Sequence, residues 1–186
     1  MNSAIKYRLY PTSEQKIMFA KTFGCCRKVY NLMLSEKIES YKTTGKFVAV
    51  TPAKYKKDFP YLKEVDSLAL ANVQLNLQSA FRNHFDRNRR KKTGFPKFKS
   101  AKHSRKSYTT NNQNGTVAII DSRYIRLPKT GKVRAVIHRV PGTDWKLRSA
   151  TVSCSSDDRY YVSVLFEYGN SASAYVADEN NAIGMD

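Results

Sequence analysis

The chain has 186 residues, room for one large domain or two small ones, and 41% of them are hydrophobic, which permits a buried core and argues against wholesale disorder. Its 33 Lys and Arg face 15 Asp and Glu, a net charge of +18, far more than solubility needs, so the expected partner is a polyanion, nucleic acid ahead of an anionic membrane. Three cysteines (Cys25, Cys26, Cys154) without a C-x-x-C pair, and three scattered histidines (His84, His103, His138), argue against a disulfide framework and a zinc site.

In chain order, AIKYRLY (4–10) alternates and is rich in aromatic and β-branched types, which predicts a strand ended by Pro11. Thr12 with Gln15 three residues on predicts a capping box opening a helix from Ser13 to about Phe23, with Ile17, Ala20 and Phe23 on one face. Gly24 is expected to interrupt it, and a second helix to run from Cys25 to Thr43 with Gly45 as its cap. Two helices joined near a glycine fit a helix-turn-helix or a plain helical hairpin equally well. Residues 46–65 read as irregular, broken by Pro52 and Pro60. A third helix is expected from Asp66 or Ser67 to about Arg90, with Leu70, Val73, Leu77, Ala80, Phe81, His84 and Phe85 recurring at helical steps.

After Gly94 the pattern changes. Short strands are expected at 107–112, 116–120, 124–127, 132–138, 148–154 and 159–167, separated by NNQNG, PKTG, PGTD and SSDD turns, the spacing of a small barrel. The first strand has no local partner, so it should pair with these later strands and leave the helices as an insertion. Residues 169–181 are small and polar, like a linker, and AIGMD (182–186) could begin a new strand.

The charge is uneven. Residues 1–110 hold 24 Lys and Arg against 7 Asp and Glu, whereas residues 111–186 hold 9 against 8. The densest run, RNRRKKTGFPKFKSAKHSRK (87–106), carries ten cations and no acid: Arg87, Arg89, Arg90, Lys91, Lys92, Lys97, Lys99, Lys102, Arg105 and Lys106. Such a run repels itself unless phosphates neutralise it. Phe95 and Phe98 within it, and Tyr108 just after it, are candidates to stack on bases, although the two phenylalanines could equally anchor the loop to the core. Gln74, Asn76 and Gln78 line the polar side of the third helix and Ser67 lies at its start. These amides can bond to adenine edges or merely solvate a helix. Ser67, Gln74 and Asn111 are the candidates for reading a DNA motif. Asp186 is a single carboxylate, and metal-assisted cleavage of phosphodiesters needs several. No Ser-His-Asp or Cys-His arrangement and no phosphate-binding loop is present.

Six segments resemble the TnpB/OrfB family, long labelled transposases: YRLYPTSEQ (7–15), GCCRKVYN (24–31), SLALANVQLNLQSAFRNHF (67–85), GFPKFKSAKHSRKSY (94–108), RLPKTGKV (126–133) and IGMD (183–186). The V-Y-N and G-F-P-x-F-K-S pieces are the most specific. The resemblance implies a transposon-encoded RNA-guided DNA endonuclease. In this family a wedge domain, an oligonucleotide-binding-type barrel, and an inserted recognition lobe grip a guide RNA and a DNA motif in double-stranded DNA. A RuvC-like domain follows, whose Asp, Glu and Asp hold Mg²⁺. Asp186 matches the first of these carboxylates and would be catalytic and metal-binding only in a completed domain.

The expected fold is therefore α+β: an oligonucleotide-binding-like β-barrel with an inserted helical lobe, plus the first strand of a truncated RuvC-like domain. Its expected divisions are 1–11 (first wedge strand), 12–106 (helical lobe, with a helix-turn-helix-like start at 12–45), 107–169 (remaining wedge strands), 170–181 (linker) and 182–186 (start of the nuclease domain). The expected function is nucleic-acid binding for such a nuclease, with guide RNA and double-stranded DNA as partners, no membrane partner, a cytoplasmic location, no cofactor for this chain and Mg²⁺ in a full-length enzyme. This chain by itself is expected not to cut DNA. The alternatives are a stand-alone DNA- or RNA-binding regulator without nuclease activity, and a transposase subunit acting in strand transfer, which the missing acidic residues disfavour.

Overall fold

A computed structural model describes residues 1–86, 88, 90 and 93–169. Its elements in chain order are β1 (Asn2–Tyr10), α1 (Ser13–Thr44), short 3-10 turns at Pro52–Lys56 and Pro60–Lys63, α2 (Ser67–Phe85), β2 (Lys106–Asn111), β3 (Ala118–Ile120), β4 (Tyr124–Leu127), β5 (Gly131–Val136), β6 (Lys146–Cys154) and β7 (Tyr160–Glu167). The expected linker (170–181) and nuclease start (182–186) lie outside the described residues.

All seven strands form one antiparallel sheet in the order β2-β6-β7-β1-β5-β4-β3. β1 sits in its middle, paired with β7 from Asn2↔Glu167 to Leu9↔Tyr160 and with β5 through Tyr10↔Arg134. The first strand thus finds its partners after both helices. Pairing covers the edges that an isolated strand would expose.

The sheet curls into a half-barrel, and chain length shows why. Its edge strands β2 and β3 are consecutive in sequence. The seven Cα steps from Asn111 to Ala118 reach at most about 25 Å, whereas the edges of a flat seven-stranded sheet stand about 29 Å apart. The expected barrel is thus present as a half-barrel, open between β2 and β3, which each pair on one side only among the described residues.

Alternation then sorts the side chains. Ile5, Tyr7 and Leu9 of β1, Val162, Val164 and Phe166 of β7, Ala150 and Val152 of β6, and Ile125, Leu127 and Val133 of β4 and β5 face inward and are buried. With the helices' apolar faces they make one continuous core.

The predicted break at Gly24 is absent: α1 is one helix of 32 residues. Thr12 and Gln15 form the expected capping box, and Gly45 closes the helix at φ 68°, a left-handed conformation glycine adopts without cost. The helix runs through Gly24 because its buried stripe does. Phe19, Thr22 and Phe23, then Cys25 and Cys26, Val29 and Tyr30, Met33 and Leu34 recur every three to four residues. Breaking it would divide that face. Ile17 and Ala20, expected beside Phe23, are exposed instead. Pro52 and Pro60, read as breakers, open the two 3-10 turns, where a missing N–H costs nothing. α2 stops at Phe85, short of Arg90. Asp86 caps its end, and Asp66 caps its start by accepting from the Leu68 N–H at 3.0 Å. Leu70, Val73 and Leu77 are buried as expected, but Phe85 is exposed. The second oxygen of Asp66 accepts from the buried Thr110 hydroxyl, fastening α2 to β2.

Candidate nucleic-acid interface

The loop 93–105 returns from the end of α2, passes the middle of α1 and enters β2. His84 Nδ1 lies 2.8 Å from the Thr93 carbonyl, and the Thr93 hydroxyl donates to the Asn83 carbonyl at 2.7 Å. Pro96 is buried. The decisive contact is made by Asn31. Its amide accepts from the Lys99 N–H at 2.8 Å and donates to the Lys99 carbonyl at 2.9 Å, a two-sided clamp across 68 residues. The Lys99 ammonium lies over the Tyr30 ring, 4.1 Å from its centre. V-Y-N and F-P-x-F-K-S, far apart in sequence, therefore form one joint.

This joint redistributes the expected contact residues. Lys99 is exposed like its neighbours, but its ammonium leans on Tyr30, and the partial desolvation there pushes its pKa down. Phe95 is an anchor as well as an exposed ring, meeting Phe81 and His84 edge-on at 5.4 Å each. Phe98 is 57% exposed and stays available for stacking. Tyr108 is corrected outright. It is 6% exposed and packed against Phe19 and Phe23, so no base can reach its ring. It faces inward because Thr109, its neighbour in β2, faces out. Arg90, Lys97, Lys102, Arg105 and Lys106 are exposed. Arg87, Arg89, Lys91, Lys92 and Asp186 lie outside the described residues.

Beside the loop lies a groove of about 770 Å³. Lys102, His103, Arg105 and Lys106 form its wall, and its floor is the outward face of the sheet, with Thr151, Ser153, Ser163, Lys6 and Tyr161. Lys106 is 3.7 Å from Asp158 across the rim. Hydroxyls on a floor flanked by cations suit phosphate and sugar oxygens, since each hydroxyl both donates and accepts. A second crevice, about 100 Å³, opens between the helices and β2. There Arg27, Asn72 and Asn76 face Lys99, Arg105 and Lys106.

Of the expected motif-reading residues, Ser67 is exposed and accepts a hydrogen bond from Lys56 Nζ at 2.8 Å. Gln74 is two turns further along the same helix face and half-buried. Asn111 is half-buried at the end of β2, opposite Ser149. The Asp66–Thr110 contact brings the Ser67 and Asn111 ends of their elements together. Lys6 and Tyr161 in the groove are not visible in the sequence as site residues. Their one signal is the outward half of the alternation in β1 and β7. Among the described residues no group of three or more His, Cys, Asp or Glu side chains could hold a metal ion, and no helix is long and apolar enough to cross a membrane.

Residues 1–46 match the OrfB/IS605 family described as a helix-turn-helix domain. In this chain that segment is a strand and the start-to-end run of one helix. A protein of Streptomyces pristinaespiralis provisionally named an RNA-guided DNA endonuclease is 32% identical to this chain, over 88% of the chain and 41% of its own length. The chain belongs to the TnpB/OrfB family. The TnpB/OrfB chain described here thus spans about two fifths of that relative. The virulence protein VsdF of Salmonella dublin is 36% identical over 53% of the chain and 93% of its own length.

Proposed function

We propose that this chain is the nucleic-acid-binding portion of a TnpB-like RNA-guided DNA endonuclease, with a guide RNA and a short motif in double-stranded DNA as its ligands. The observation that carries this reading is the exposed cation loop, clamped by Asn31 onto the helices so that Lys102, Arg105 and Lys106 line a hydroxyl-floored groove. A clamped loop holds its charges in fixed places, so less ordering is needed when phosphates bind. In this reading the half-barrel is the family's wedge domain and α1 and α2 belong to its recognition lobe. Phosphate contacts from the loop set register, and Ser67, Gln74 and Asn111 read bases. Asp186 would contribute the first magnesium-binding carboxylate of a completed RuvC-like domain.

A second reading, a stand-alone regulator that binds without cutting, draws on VsdF, 93% of whose length aligns within this chain. An in-frame coding sequence after codon 186 that supplies further carboxylates favours the nuclease, and a stop codon there favours the regulator.

The binding claim is tested by selecting duplexes from a random pool. Enrichment of a short motif is expected, with Ser67→Ala or Gln74→Ala costing roughly 1–3 kcal/mol on that motif and little on other sequences. A pool that stays random after repeated rounds removes the base-reading assignment.

A further inference from the structure

Strand register gathers an array on the outward face of the sheet that no stretch of sequence contains. Arg8 of β1 pairs with Tyr161 of β7, Tyr10 of β1 with Arg134 of β5, and Arg134 with Tyr124 of β4. Tyrosines and arginines therefore alternate from strand to strand. The side chains meet as this register requires. Lys6 Nζ is 4.3 Å from the centre of the Tyr161 ring, and the Arg8 guanidinium is 5.0 Å from Tyr161 and 5.5 Å from Tyr10. Tyr10 is 51% and Tyr124 37% exposed, too open for core residues. Together with Arg123 and Arg134 they line a hollow of about 550 Å³, while Lys6 and Tyr161 belong to the floor of the groove beside the cation loop.

We propose that this face is a stacking track for the unpaired bases of a single-stranded nucleic acid, leading away from the cation groove. The proposal rests on the reading that the chain binds nucleic acid, and adds the form of the ligand and the surface that takes it. Two observations select a single strand. The first is the tyrosines themselves: Tyr10 and Tyr124, two strand spacings or about 10 Å apart, offer flat π-faces beside Tyr161, whose ring Lys6 and Arg8 cover, and bases of a duplex cannot meet such faces because they are already stacked. The second is charge. The outward positions of β1, β4 and β5 hold Lys6, Arg8, Arg126, Lys132 and Arg134, and no acidic residue. Of the acids around it, Asp157 pairs with Arg159, Asp158 with Lys106 and Glu167 with Arg148, and Asp121 lies in the turn before Tyr124. Five like charges on one face repel one another unless a phosphate chain runs between them. Ser107, Thr109, Ser149, Thr151, Ser153 and Ser163 on the neighbouring strands offer hydroxyls to sugars and phosphates.

The experiment compares the full chain with the double variant Tyr10→Ser/Tyr124→Ser, and with Tyr10→Trp/Tyr124→Trp, on oligouridine, oligodeoxythymidine and a DNA duplex of equal length. Thermal melts confirm that each variant is folded. The serine variant is expected to bind both single strands on the order of tenfold or more weakly, to bind the duplex within about twofold of the parent, and to keep the parent's salt dependence. The tryptophan variant is expected to restore the single-strand affinity. A deoxy strand held as well as a ribo strand assigns the track to stacking, and a loss confined to oligouridine assigns it to RNA. Unchanged single-strand affinity in a folded serine variant overturns the track while leaving the binding function intact. A parent chain that binds none of the three ligands overturns both.

Discussion

Tyr108 closes the basic run in sequence, yet its ring lies against Phe19 and Phe23 and ties β2 to α1. Tyr108→Ala should therefore cost about 3–5 kcal/mol of stability, as aromatic truncations in a core do, whereas Tyr108→Phe should preserve both stability and nucleic-acid binding. Denaturant titration with a binding assay on the folded fraction separates the two. A stable Tyr108→Ala variant with lost binding would contradict the burial. The same packing has a pH signature. Burial pushes the Cys26 thiol and the Tyr160 hydroxyl each up to about 12, and raises Tyr108 and Tyr55 as well. In the unfolded chain these protons leave near the ordinary values of 9.0 for the thiol and 10.0 for the phenols. Between those values and about 12 the folded chain holds protons that the unfolded chain has released, so stability falls as pH rises. Below pH 9 this contribution is complete. Melting temperature should decline steadily from about pH 9 upward, with tyrosinate absorbance lagging until the chain unfolds. Tyrosines that all ionise at the ordinary value in a chain that stays folded would refute this.

At the scale of elements, α1 offers the sharpest test, because an unbroken helix and two helices meeting at a turn predict opposite signs. Gly24 lies in the helix interior, and a Cβ built there meets nothing within 4 Å. Gly24→Ala should raise stability by about 0.5–1 kcal/mol, from the entropy glycine loses in a helix. A loss of stability of that size would restore the turn. The failure to see this helix in the sequence has a physical cause. A lone glycine costs a helix little, and the face it interrupts becomes evident only when Phe19, Cys26 and Met33 are recognised as the stripe in place of Ile17 and Ala20. The ends of α1 were legible because Thr12, Gln15 and Gly45 act locally, through a capping box and a left-handed residue. The strands were legible for a similar reason: their turns carry local signals, such as Asn114 and Asp158 at positive φ. β1 lacked a local partner, which pointed to the later strands but not to a place between β7 and β5. That place follows from the whole sheet.

Over the whole molecule, the candidate site divides by how far apart in sequence its parts lie. The cation run was legible because charge density is a local property. The clamp of Asn31 on Lys99 and the row Tyr161–Arg8–Tyr10–Arg134–Tyr124 were not, because 68 residues separate the first pair and 153 separate Arg8 from Tyr161. Folding sets the exposed cations of the loop beside those of the outward sheet face, while the buried inward positions of the strands are mostly apolar. The central claim is that the loop cations meet phosphate. Each phosphate neutralised on duplex DNA contributes about 0.9 to the slope of log affinity against log salt. The measurement is duplex binding across a salt series, for the parent chain and for a variant with Arg90, Lys102, Arg105 and Lys106 replaced by Ala. The slope should flatten by about 3 to 4 units if all four cations meet phosphate, equally on matched and scrambled sequences, because phosphates carry no base information. An unchanged slope in the folded variant would show that these cations only solvate the surface, and would contradict the assignment of the interface.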